Sequence, residues 1–231
     1  MDRRTMGPLA AEAVGTFLFF FVGAGSVVLN DYIAAGGGEA PGLVQVALAH
    51  GLVLAVLVSS LGAVSGGHFN PAVTCGVWIA GKIETMRAAT YVVAQLVGAV
   101  IAGLALRVVF AESVWAPSHI GTPALGPAIT PAIGILVEAI LTVVLVLAVL
   151  GTAVDPRAPR IGGLAIGLAI GADILMGGPL TGAAMNPARW FGPAIASGFL
   201  DNWYVWIIGP LLGGTVAGAL YRGIFAAADA V

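Results

Sequence analysis

Residues 65–74 read SGGHFNPAVT and residues 181–194 read TGAAMNPARWFGPA, so the triplet Asn70-Pro71-Ala72 returns as Asn186-Pro187-Ala188. Asn is a good N-cap, and Pro suits the first helical position because the N–H it lacks has no partner there. Each triplet therefore opens a helix. The apolar stretches that follow, 71–79 and 187–196, are short. About ten residues at 1.5 Å each reach half-way across a hydrocarbon core. The glycines ahead of them, Gly66-Gly67 and Gly177-Gly178 with Gly182, suit loops that fold back into a membrane. Irregular backbone is tolerated at that depth only where protein or a water-filled cavity surrounds it.

The membrane itself is written in the composition. Hydrophobic residues make up 59% of the 231, charged residues only 9%, and mean hydropathy is +1.04. A soluble fold of this length has too little polar surface to face water with such a composition, so a soluble enzyme is excluded, and so is disorder. Nine Lys and Arg against 11 Asp and Glu give a net charge of −2 and no basic face for nucleic acid. The single Cys75 excludes a disulfide framework and a multi-cysteine metal site.

Six apolar runs are long enough to span as helices: 8–29, 42–64, 87–109, 131–151, 161–178 and 203–225. They show no period-2 alternation, which argues against a β-barrel. The first run is too long for a signal-peptide core and lacks a clear cleavage site, so it reads as the first span. With the N-terminus inside, Arg3, Arg4, Lys82, Arg87, Arg157, Arg160 and Arg222 fall on the cytoplasmic side. Both termini are therefore expected in the cytoplasm, with the protein in the cell membrane. Trp115, Trp203, Tyr204 and Trp206 fall near the outer boundaries, where interface anchors belong.

The halves 8–110 and 131–226, joined by the loop 111–130, repeat one another within a single membrane domain covering 1–231. Glu12 in AEAVGTF matches Glu138 in VEAILTV, and Gln95 and Pro210 follow the two Asn-Pro pairs at similar distances. Three helices per half force the two copies into opposite orientations, an inverted repeat. The positive ends of the two short helices then face each other near the midplane. This is the geometry of a pore.

The paired segments resemble the signature segments of the aquaporins, the major intrinsic protein family, and the similarity runs from Glu12 to Gly209-Pro210. The resemblance implies an all-α membrane fold of six transmembrane helices and two re-entrant half-helices. It also implies a passive water channel with no catalytic residues, cofactor or metal, assembled as a homotetramer with one pore per monomer. The four positions of the family's constriction fall on His50, Ile174, Ala183 and Arg189, a set similar to the tonoplast intrinsic branch. Water is the primary expected solute, with small neutral molecules such as ammonia second. Glycerol is a weaker alternative, because Trp190 and Ala194 stand where glycerol facilitators carry Asp and a basic residue.

Capped through backbone groups, Asn70 and Asn186 would leave their side-chain amides at the lumen as donors, turning a passing water so that the proton-hopping chain breaks. Arg189 costs about 2.5–3.5 kcal/mol at bilayer depth, so carbonyls should hold it and water should face it. The resemblance gives Glu12 and Glu138 a bracing role on the re-entrant loops, and His68 reads as a brace beside the first of them. It also suggests that His119, in the third loop, leans over the vestibule towards Arg189 as an extension of the filter. Asp173 is expected in a hydrogen-bonded outer loop, and Cys75 as a small buried residue. Two other classes stay open at this stage: a proton-coupled carrier using Glu12 and Glu138, and an intramembrane enzyme using Ser65 near His68.

Overall fold

The computed structural model describes residues 3–159 and 161–226. Arg160 and the side chains of Arg3 and Arg4, which enter the orientation argument, lie outside the described residues. Among the described residues there are no strands. The membrane-spanning helices are α1 (Arg3–Ala35), α2 (Leu43–Ser65), α4 (Thr85–Val109), α6 (Pro131–Val149), α7 (Gly162–Thr181) and α9 (Val205–Leu220). The half-helices are α3 (Pro71–Ile79) and α8 (Pro187–Ser197), and a short α5 (Glu112–Trp115) sits in the connecting loop. α6 and α9 each end in a π-helical turn, at Leu150–Val154 and Tyr221–Phe225. Six crossings return the chain to the face at which α1 begins, called here the near face.

The spanning helices form a ring. α1 packs on α2 and α4, α2 on α7, α7 on α6, and α6 on α9. At the sixth seam, between α4 and α9, the two half-helices fill the gap, with α8 against α4 and α3 against α9. Small residues set how closely these elements approach. A Cβ on Gly51 would lie 2.6 Å from the Gly167 carbonyl oxygen, so the α2–α7 crossing tolerates nothing larger. The outside of the ring is apolar, with Leu48, Leu52, Val56, Leu164, Leu168 and Val93 all exposed, as a hydrocarbon solvent requires.

Two expectations about the elements are corrected. Gly177 and Gly178 belong to α7, which continues through Pro179 to Thr181 and ends on Gly182 at φ 79°. Their lack of side chains is used for packing against Leu141 and Leu43, not for chain reversal. Of the aromatic residues read as interface anchors, Trp206 is fully buried and donates to the Thr181 carbonyl. Trp115 is also buried, with the Arg107 guanidinium 5.1 Å from its ring, and Trp203 is the exposed one.

Candidate functional site

The two half-helices begin alike because their capping residues adopt the same backbone. Asn70 has φ −159°, ψ 120° and Asn186 has φ −157°, ψ 111°. The cap is made by the side chain, contrary to the sequence expectation. Asn70 Oδ1 accepts from the N–H groups of Ala72 (2.7 Å) and Val73 (3.3 Å), and Asn186 Oδ1 from those of Ala188 (2.9 Å) and Arg189 (3.3 Å). Nor are the amide donors wholly free. Asn70 Nδ2 donates to the Met185 carbonyl at 2.9 Å, and Asn186 Nδ2 to the Phe69 carbonyl at 3.0 Å. Each re-entrant loop is thus tied to the other, and one N–H of each amide remains. Phe69 and Met185 reach this geometry at φ 47° and 50°, a region non-glycine residues seldom occupy.

Two buried carboxylates hold those strained residues in place. Glu12 accepts from the His68 N–H at 3.0 Å and the Phe69 N–H at 2.7 Å, and also from Ser65 Oγ and Gln95 Nε2. Glu138 repeats the pattern with Ala184 N (2.9 Å), Met185 N (2.6 Å) and Thr181 Oγ1 (2.7 Å). Ser65 and Thr181, at the last turns of α2 and α7, therefore belong to the same device. Ser65 Oγ points at Glu12, while the His68 ring pairs through Nδ1 with Thr74 Oγ1 at 3.1 Å. No serine–histidine pair forms. Gln95, noted in the sequence only as a landmark of the repeat, proves to be part of the Glu12 network.

Arg189 is buried on the far side of the Asn pair. Its Nε donates to His50 Nε2 at 3.2 Å, and Nη1 donates to the Gly121 carbonyl at 2.8 Å. His50 in turn donates from Nδ1 to the Val46 carbonyl at 2.8 Å, which fixes the tautomer with its proton on Nδ1. Both ring nitrogens are thereby engaged, so His50 positions Arg189 rather than offering a free polar wall. The imidazole fits because residue 23 is glycine: a Cβ there would lie 2.6 Å from the ring. His50, Arg189 and Ile174 line one cavity of about 350 Å³ on this side, together with Gly121 and Gly182. Ala183 is buried at φ 43°, between Gly182 and the Glu138-held residues.

His119 is not part of this cluster. Its ring stacks on Phe199, with centroids 4.0 Å apart and planes within 2°, and it does not line the far cavity. The group that meets Arg189 from this loop is the Gly121 backbone carbonyl, which side-chain reasoning cannot see. Asp173 is likewise corrected. It lies inside α7, 4% exposed, with Oδ2 unpartnered. Cys75 is only partly buried and meets Thr215 on α9.

On the near side a second cavity, about 580 Å³, is lined by His68, Tyr91, Ser65 and the segment 152–159. That segment is pinned at its edge. Asp155 accepts from the Arg157 N–H and Nε, both at 2.9 Å, and from Nη2 at 2.6 Å. Arg157 also donates to the Phe225 carbonyl, and Tyr221 Oη donates to Asp155. These bonds from Arg157 hold the Asp155 carboxyl well below the usual carboxylate range. Among the described residues no cluster of metal-ligating side chains occurs.

Comparison with known proteins agrees with this architecture. The family model for the major intrinsic proteins matches residues 3–221. Aquaporin TIP4-4 of Zea mays is 48% identical over 230 residues, covering 98% of this chain and 89% of the relative. Probable aquaporin TIP3-2 of Arabidopsis thaliana is 44% identical over 221 residues, covering 92% and 81%. The X-ray structure of the aquaglyceroporin from Plasmodium falciparum superposes with a TM-score of 0.84 over 96% of this chain and 97% of that one. At 24% identity that likeness speaks to the fold alone.

Proposed function

Because the chain belongs to the major intrinsic protein family, we propose that it is a passive transmembrane channel for water that also admits ammonia and excludes protons and ions. The observation that carries this reading is the cross-tied pair Asn70 and Asn186, each capping a half-helix that starts inside the ring. A water between them meets two donors and two positive helix ends. It can only present its oxygen, so its own hydrogens point away along the pore. A proton arriving there finds no acceptor in line, and a cation is opposed by both dipoles.

Arg189 adds the one full charge of the constriction. Held by His50 and Gly121, it keeps donors for a solute that has at least one lone pair. Ile174 gives the opposite wall no polar group, which favours ammonia beside water. Bracing rather than proton coupling is supported by the hydrogen bonds of Glu12 and Glu138, since every one of their oxygens already accepts from the re-entrant loops. On this reading Glu12, Glu138 and His68 are braces, the protein is a homotetramer, and the near face is cytoplasmic in the cell membrane. Stopped-flow shrinkage of proteoliposomes tests the core claim. Water flux well above protein-free vesicles, with no added dissipation of a pH gradient, is the expected result, and flux that an uncoupler abolishes would refute it. A stable active monomer in mild detergent would refute the tetramer.

A further inference from the structure

The ring of spanning helices closes helix on helix at five seams. The sixth, between α4 and α9, is closed only by two short helices, and these leave their backs uncovered. An apolar groove of about 740 Å³ runs along that seam, within the roughly 300–1,000 Å³ of ordinary ligand sites. Its floor is Pro71, Cys75, Pro187 and Trp190 of the half-helices, and its walls are Val92 and Leu96 of α4 with Ile207 and Leu211 of α9. One end lies at Trp78 and Thr85, near one membrane face, and the other at Leu200 and Trp203, near the opposite face.

We propose that this groove is a binding site for the hydrocarbon chain of a bilayer lipid, which packs against the two N1 prolines and completes the wall behind the pore. Three observations select that occupant. The hydroxyls and thiol on the groove are already spoken for: Thr74 donates to the Asn70 carbonyl, Thr85 accepts from Trp78 Nε1, and Cys75 meets Thr215. Trp190 Nε1 has no partner but is buried away from the groove surface, so an occupant gains from apolar contact rather than from hydrogen bonds. The groove also runs between aromatic residues exposed at both faces, Trp78 and Trp203, which suits an elongated molecule lying along the membrane normal. Finally, the seam lies across the ring from the α2–α7 seam, whose exposed Leu48, Leu52, Leu164 and Leu168 offer a separate apolar face to a second copy. In the homotetramer proposed above, a copy docked there would leave the α4–α9 groove facing lipid.

The site places lipid directly behind the centre of the pore. Pro71 and Pro187 are the first residues of the half-helices, adjacent to Asn70 and Asn186. Trp190 is a built-in reporter, since it lines the groove and stacks on Trp206 with 5.9 Å between centroids.

The test uses the full chain carrying W78F and W203F, which removes the two exposed groove indoles. It is reconstituted in phosphatidylcholine with bromine at the middle of the acyl chains, and in the unbrominated lipid. Mid-chain bromine should quench at least a third of the remaining tryptophan emission. Adding W190F should remove most of that quenching, and Val92→Phe with Leu96→Phe, which fill the groove, should at least halve it. In parallel, unaltered protein is irradiated with a phosphatidylcholine bearing a mid-chain diazirine. Adducts should concentrate on residues 71–96 and 187–211 over the α2–α7 face. No Trp190-dependent quenching, or adducts spread evenly round the ring, would overturn the proposal. So would a cross-link joining two copies through this seam.

Discussion

Glu138 is the residue whose replacement most directly tests how the pore is held. Its carboxylate accepts three hydrogen bonds, from Thr181 Oγ1, Ala184 N and Met185 N, all inside the protein. In Glu138→Gln one oxygen becomes an NH₂, and whichever way the amide turns, a donor faces a donor. If the oxygen stays with Ala184 and Thr181, the Met185 N–H loses its acceptor, at about 1–3 kcal/mol for a buried unsatisfied group. Glu138→Ala strands both N–H groups and should cost about 2–6 kcal/mol by the same count. The damage is local to Met185, whose carbonyl receives the Asn70 amide, so water flux should fall along with stability. The measurements are stopped-flow water permeability per reconstituted protein and thermal unfolding in detergent. Gln should lower both moderately, and Ala should lower both more. A Glu138→Ala protein with wild-type permeability and melting temperature would show that the loops hold themselves, and the reasoning would fail.

Replacing Arg189 with Val removes the charge and the His50 contact together; proton or cation leak should rise while water still passes, read as pH dissipation in loaded vesicles. In the double variant His50→Phe, Ile174→His, the filter gains a polar group on the Ile174 wall and narrows there, so water flux should persist while ammonia flux drops several-fold. Wild-type vesicles with no ammonia flux above protein-free controls would rule out the wide filter. The Asp155–Arg157 clasp has a defined pH window. Because the folded carboxyl titrates below its ordinary value of about 3.9, the clasp is fully present above that pH and is lost only as pH falls through the lower folded value. Hydrogen exchange at residues 155–159 should therefore be unchanged from pH 8 to 5 after correction for intrinsic rates, and faster throughout in Asp155→Asn. Opening of the wild type between pH 7 and 5 would contradict this.

The half-helices were legible in the sequence because capping is local chemistry: Asn followed by Pro fixes a start whatever surrounds it. The inverted repeat was legible for the same reason, since Glu12 and Glu138 sit at matching places in their halves. What escaped was chemistry supplied by backbone or by distant packing. The partner of Arg189 is the Gly121 carbonyl, and any residue type could have presented it. The seating of His119 on Phe199 escaped because nothing in its sequence neighbourhood reveals a stacking partner 80 residues on. Gly177 and Gly178 looked like a chain reversal, yet the same missing side chains serve equally for close helix contact. Only the tertiary neighbours decide between those uses.

The reciprocal ties between the two loops also bear on the order in which the chain can be finished. Glu12 finds His68 and Phe69 at separations of 56 and 57 residues, so the first brace can close after two crossings, with Gln95 joining from the third. The Asn70 amide must wait for Met185, 115 residues later, and Asn186 for Phe69, 117 residues back. Until the second half is inserted, the first holds an open helix end and an unanswered amide in the membrane interior. Contacts of such separation close late. A ribosome stalled between the two halves would carry a braced but unsealed barrel wall, and the sealing of the lumen would be among the last events of synthesis.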